Sequence, residues 1–153
     1  MTFINNISPD SLKVEGNLVI LKTSADGVQD RIEHKNLVVS VGKTNIAARM
    51  AGNTVAVMSH MAIGTGNTAA VVGDTTLDTE LSRVALTVAG GTPSSNTVTY
   101  SATYPAGTGT GALTEAGVFN AVSSGTMLCR TVFPVINKQA ADSITITWVI
   151  SIT

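Results

Sequence analysis

Between positions 143 and 153 every even residue is apolar and every odd residue but one is serine or threonine. Ile144, Ile146, Trp148, Ile150 and Ile152 alternate with Ser143, Thr145, Thr147, Val149, Ser151 and Thr153. Successive side chains of a strand point to opposite faces, so a period of two makes one apolar row and one polar row. β-branched residues fill nearly every site, and their stiff side chains suit a pleated surface better than a helix. The same grammar recurs where Val98, Tyr100, Ala102 and Tyr104 alternate with Thr97, Thr99, Ser101 and Thr103. A chain written this way folds mainly as antiparallel β-sheet.

The remaining segments fit that frame. A first strand over 12–22 is interrupted by Gly16-Asn17, read as a bulge or tight turn. Asp26-Gly27 supplies hairpin chemistry. The return strand over 28–39 carries Asp30, Arg31, Glu33, His34 and Lys35, a density that marks a solvated or edge strand. Ile46, Ala47 and Met50 then fall at helical spacing, with Thr44 able to cap and Gly52 able to stop, which predicts one short helix near 43–51 over an open end of the sheet. Strands follow over 55–63, 81–88, 97–104, 113–121 and 126–133, with 81–88 pairing 97–104 through a turn at 90–96. Loops are expected at 64–79, 105–111 and 134–142. Short strands at fairly regular spacing predict an antiparallel β-sandwich, jelly-roll or Ig-like, forming one domain over 12–153 behind an N-terminal arm at 1–11.

Composition narrows the partners. At 153 residues the chain is long enough to bury a core without metals or disulfides. Only 12% of it is charged, so Thr, Ser, Asn and Gly build the surface, and such a surface is cheap to desolvate against other subunits. A net charge of −1 offers no phosphate-neutralising patch, which argues against a nucleic-acid partner. No run approaches the roughly 18 apolar residues that cross a bilayer, so no membrane partner is expected. Residues 1–10 lack a basic start followed by an apolar stretch, so synthesis in a cytoplasm is expected. The lone Cys129 lies in an apolar run and reads as a buried, inert thiol.

Candidate chemistry is thin. Gly64-Thr65-Gly66 with Gly73 and Asp74 downstream lacks the third glycine of a dinucleotide loop, position 69 being alanine, and no helical period follows. Gly107-Thr108-Gly109-Thr110-Gly111 lacks the Gly-Lys-Ser/Thr ending of a phosphate-binding loop. Both read as sheet-capping turns. His34 and His60 have no second ligand at metal spacing within their own segments, and His60 reads as a hydrogen-bonded core or interface histidine. A hydrolase would need one of them to titrate beside a nucleophile, and no serine sits in a nucleophile-elbow context. Glu80, Arg83, Glu115 and Arg130 read as cross-strand or inter-subunit ion pairs that fix register. Asn6-Ile7-Ser8 matches a glycosylation sequon that carries no weight without a secretory signal. No catalytic, cofactor-binding or metal-ligating residue is assigned.

Five strings and the closing strand together resemble a family of small tailed-bacteriophage virion structural proteins. They are Asn36-Leu37-Val38-Val39 with Gly42-Lys43; 58–66; Asp78-Thr79-Glu80-Leu81-Ser82-Arg83-Val84; 113–119; and 127–133. The resemblance implies a non-enzymatic role in the virion, as a capsid decoration or cement protein bound across subunits of the major capsid protein. Copies of the chain would form a homodimer or homotrimer, with the arm and the loops at 64–79 and 105–111 as contact surface. Members also resemble tail-fibre or baseplate components, whose partners are other tail proteins and a host receptor. The low aromatic content, 4%, weighs against a sugar-stacking tip.

Overall fold

A computed structural model describes residues 10–153, so most of the expected arm lies outside the described residues. The elements are β1 (Val14–Thr23), β2 (Gln29–Val38), α1 (Ser40–Met50), β3 (His60–Gly64), β4 (Glu80–Ala85), β5 (Thr92–Ser94), β6 (Thr97–Tyr104), β7 (Gly111–Phe119), β8 (Met127–Lys138) and β9 (Ser143–Ile152). The strands form one antiparallel sheet, ordered β4-β3-β7-β8-β2-β1-β9-β6-β5 and curled into a half-barrel.

The alternating C-terminal segment takes a central place. β9 pairs β1 along its whole length on one side and β6 on the other. Ile144, Ile146, Trp148 and Ile150 are buried, while the odd residues are half-buried. Register sets Trp148 between Leu18 and Tyr100, and Ile146 between Ile20 and Ala102, so the apolar rows of three strands merge into one core. The two arms of the curl meet through Tyr104, whose hydroxyl donates to the Met61 carbonyl at 2.6 Å. Residues leaving β4 complete the closure: the Leu86 amide bonds Ser59 O and the Thr87 amide bonds Ser101 O, both at 2.8 Å.

Several local expectations change in the folded chain. β1 runs through Gly16 without bulge or turn, because Gly16 faces Asn36 and a side chain there would collide with the Asn36 amide. The charged strand β2 sits inside the order, yet only Leu37 and Val38 pair with β8. From Gln29 to Asn36 it is an edge, as its charge predicts. β3 starts at His60 rather than 55, because its partner β7 stops at Phe119 and leaves nothing upstream to pair with. β4 pairs with β3, not with β6; the β9 ladder and the short β5 take the two sides of β6, and the Thr87–Ser101 bond is what remains of the expected hairpin. β8 continues through Pro134 to Lys138. Register slips there between Glu115↔Val132 and Leu113↔Ile136, and a proline without an N–H is tolerated at such a bulge.

Helix α1 begins three residues before the expected start. Thr44 does not cap it; its hydroxyl donates back to Ser40 O at 3.1 Å, and the Ser40 amide instead bonds Val72 O at 2.7 Å. Gly52 does stop it, with φ +79°. The helix lies against β8, and Gly42 makes the approach possible: a methyl there would stand 2.8 Å from Leu128 Cα and nearer still to its carbonyl oxygen. Gly42→Ala is therefore expected to cost on the order of 1–3 kcal/mol, since backbone cannot yield as a side chain can. Gly73→Ala, whose new methyl meets nothing within 4 Å, should stay within about 0.5 kcal/mol of wild type. Urea titrations of the two variants, followed by circular dichroism, decide the matter.

Candidate functional site

The densest polar constellation lies on the outer face of β7 and β8. Glu115 faces Val132 and Arg130 faces Gly117, which sets the two charges diagonally across one ladder. Neither reaches solvent: Glu115 is 0% exposed and Arg130 1%. Arg130 Nη2 and Nε donate to Glu115 Oε2 at 2.9 and 3.1 Å. Nη1 donates to Asp74 Oδ2 at 2.7 Å, Nη2 to Thr68 O at 3.0 Å, and Asp78 Oδ2 lies 3.3 Å away.

The Glu115 carboxylate is also held by backbone. It accepts the amides of Gly66 at 3.0 Å, Asp78 at 3.0 Å and Thr79 at 2.8 Å. Glycines permit that approach, since a Cβ on Gly64 or Gly66 would stand 2.5–2.6 Å from Glu115 Oε1. The Gly-Thr-Gly string thus cradles a carboxylate, but an internal one. A carboxylate accepting three amides and a guanidinium is saturated, and it braces the loop at 65–79.

Titration follows the same contacts. Hydrogen bonding from Thr68 is the largest influence on the Asp78 carboxyl; with the Arg130 charge added it outweighs desolvation and holds the group below its ordinary range. Burial alone would lower the Arg130 guanidinium, but bonds and charge from Asp74 and Glu115 outweigh it and raise it. Asp78 therefore supports the folded loop at pH above the ordinary carboxylate value. That support disappears as pH falls through its depressed folded value.

A second buried cation pins the other glycine-rich loop. Lys138 is 1% exposed, and its ammonium donates to Pro105 O at 3.1 Å and Asp142 O at 2.6 Å. Desolvation lowers its pKa, and the Asp142 charge partly counters this. The Gly107 amide bonds Ala140 O at 2.7 Å, tying the same loop to the β8–β9 turn.

The other singled-out residues separate. Arg83 pairs bidentately with Glu80 at 2.6 and 2.8 Å within β4, lies 3.8 Å over the Phe119 ring, and donates to Ala121 O and Ser124 O. Gly64 stands in register between Glu80 and Glu115, and each carboxylate is taken by its own arginine. Of the two expected pairs, one is cross-strand and one lies within a strand. His34 Nδ1 sits 2.9 Å from Lys35 O and 3.1 Å from Thr131 Oγ1 on β2. His60 Nδ1 sits 2.8 Å from the neighbouring Ser59 Oγ on β3, and β7 and β8 intervene between the two imidazoles. Cys129 is fully buried, and desolvation pushes its thiol far up, as expected of an inert core cysteine. Among the described residues no three His, Cys, Asp or Glu converge as a metal site, and no helix is long and apolar enough to cross a membrane.

Asp74, Asp78 and Lys138 were not recognisable as partners from sequence. The available signal was indirect: Glu115 and Arg130 each interrupt an apolar strand, and a charge in such a place needs compensation from elsewhere in the chain. Comparison with known proteins adds nothing to this picture, since no family model, curated protein or solved structure matches the chain.

Proposed function

We propose that this chain is a non-enzymatic structural protein of a tailed-bacteriophage virion, acting as a capsid decoration or cement protein. The observation that carries the proposal is where the buried charges lie. Arg130 with Glu115, and Lys138, each hold a surface loop in one shape, at 65–79 and 105–110. Burying a charge is costly unless it is paired, and here the charges fix outer loops. Loops latched in place by charge over a weakly charged body suit a surface that repeats many times against neighbouring copies. In that setting, weak contacts sum by copy number.

The body itself reads as a β-sandwich, jelly-roll or Ig-like, whose leaves are β2-β1-β9-β6-β5 and β4-β3-β7-β8. The two-residue β2–β8 ladder joins them. Partners in this reading are the major capsid protein and further copies of the chain as a homodimer or homotrimer. Neither nucleic acid nor membrane takes part. Assembly would occur in the host cytoplasm and the product would reside in the virion.

Mixing purified protein with bare, expanded capsids tests this. Saturable, stoichiometric binding that raises the capsid's resistance to heat or denaturant is expected. Failure to bind, together with immunogold label at the tail, would transfer the protein to the tail-fibre or baseplate role.

A further inference from the structure

We propose that residues 65–79 form a strap that opens as its own unit, latched by charge over a second apolar patch on the outer face of β3, β7 and β8. That patch consists of Val39, Ala62, Leu77, Phe119 and Met127, and it is separate from the main core. Of the strap's residues only Gly66 and Leu77 are buried. Leu77 rests over Gly117, where a Cβ would stand 3.1 Å from its methyl. Around that one buried apolar side chain, hydrogen bonds and ion pairs hold the strap.

The strap's charged side chains converge on one cation, Arg130, while the Gly66, Asp78 and Thr79 amides go to Glu115. Arg130 takes Asp74, Asp78 and Thr68 O; Asp78 accepts the Thr68 amide at 3.2 Å, and Asp74 accepts the Val71 amide at 2.9 Å. Thr114 Oγ1 donates to Gly66 O at 2.7 Å, and the Ser40 amide reaches Val72 O. A segment with one apolar anchor and many surface hydrogen bonds belongs to the low-stability end of a fold. Other charges also lie near the strap. On β2, His34 and Lys35 line the depression beside Asn67, Ala69 and Ala70. On β4, Glu80 is occupied by Arg83, and on α1, Lys43 lines the groove toward β1. Asp74 and Asp78, at 18% and 37% side-chain exposure, are the two carboxylates that can be neutralised without disturbing the buried Glu115–Arg130 pair. Lifting the strap takes Leu77 off the patch beside Gly117 and Met127, while Arg83 stays over the Phe119 ring. Nothing in this latch depends on the chain being a virion protein.

Hydrogen exchange read by mass spectrometry at neutral pH, on wild type and on D74N/D78N, tests the proposal. In wild type the 65–79 peptide should exchange at least tenfold faster than the β9 peptide. In D74N/D78N the strap should exchange a further tenfold or more faster, with β9 unchanged. An apolar dye should then bind while Trp148 emission stays that of a buried indole. Equal exchange of strap and β9 in wild type would overturn the proposal, because opening would then be global unfolding. So would a D74N/D78N strap as protected as wild type. Leu77→Ala, which leaves every charge contact in place, separates the two kinds of anchor and also serves if the double variant does not fold. A larger loss of strap protection from Leu77→Ala than from Asp74→Asn alone would show that the latch is apolar.

Discussion

Arg130→Met should lower the free energy of unfolding by about 3–5 kcal/mol, the penalty typical of removing one partner from a buried ion pair. Methionine follows the path of the arginine stem, so the loss arises from charge and hydrogen bonds more than from volume. Glu115, at 0% exposure, would keep its three backbone amides but lose its only cation. Asp74 and Asp78 would lose theirs as well. Urea titration followed by the fluorescence of Trp148, the sole tryptophan, reads the change directly.

The double variant R130M/E115Q separates charge from scaffold. A glutamine oxygen can still accept the Gly66 or Thr79 amide, and no buried anion is left without a partner. It should therefore be more stable than R130M alone, a coupling of opposite sign to the single-site loss. If both variants unfold at the same urea concentration, the pair contributes through packing and the electrostatic account of the loop fails.

The strands most legible in the sequence are those whose pattern answers to one sheet. The row Ile144 to Ile152 alternates because β9 has a core on one face only, and the pattern carries over into the fold as far as Ile150, with Ile152 exposed at the strand end. The charges of β2 likewise announced an edge, which they form along most of their length. Pairing was less legible. Nothing local in 81–88 distinguishes β3 from β6 as its neighbour, because the choice is made by the β9 ladder that occupies one side of β6. Pro134 concealed the second half of β8 for a related reason. A proline ends a strand in isolation but is tolerated at a bulge that only register reveals.

The buried cluster shows the same boundary at the level of single residues. Glu115 and Arg130 are 15 residues apart and could be suspected of pairing, whereas Asp74 is 56 residues from Arg130 and joins it only because the loop folds back. Gly64 and Gly66 looked like generic loop glycines. Their requirement comes from a carboxylate about 50 positions downstream.

Trp148→Ala should be the most damaging single change in the core, at about 3–5 kcal/mol, with Trp148→Phe far milder at about 1 kcal/mol. Trp148 is fully buried at the centre of β9, between Leu18 and Tyr100, so alanine leaves a cavity that three paired strands cannot collapse to fill. Phenylalanine keeps one ring in that space. It also removes the indole N–H, which has no hydrogen-bond partner among the described residues although it is buried. An unpaired buried donor carries a penalty of roughly 1–3 kcal/mol, and its removal offsets much of the lost ring volume. Because no tryptophan remains in either variant, urea titration followed by circular dichroism is the measurement. A Phe variant as unstable as the Ala variant would mean that the indole N–H is bonded in solution, and that the centre of this core is held by a polar contact as well as by packing.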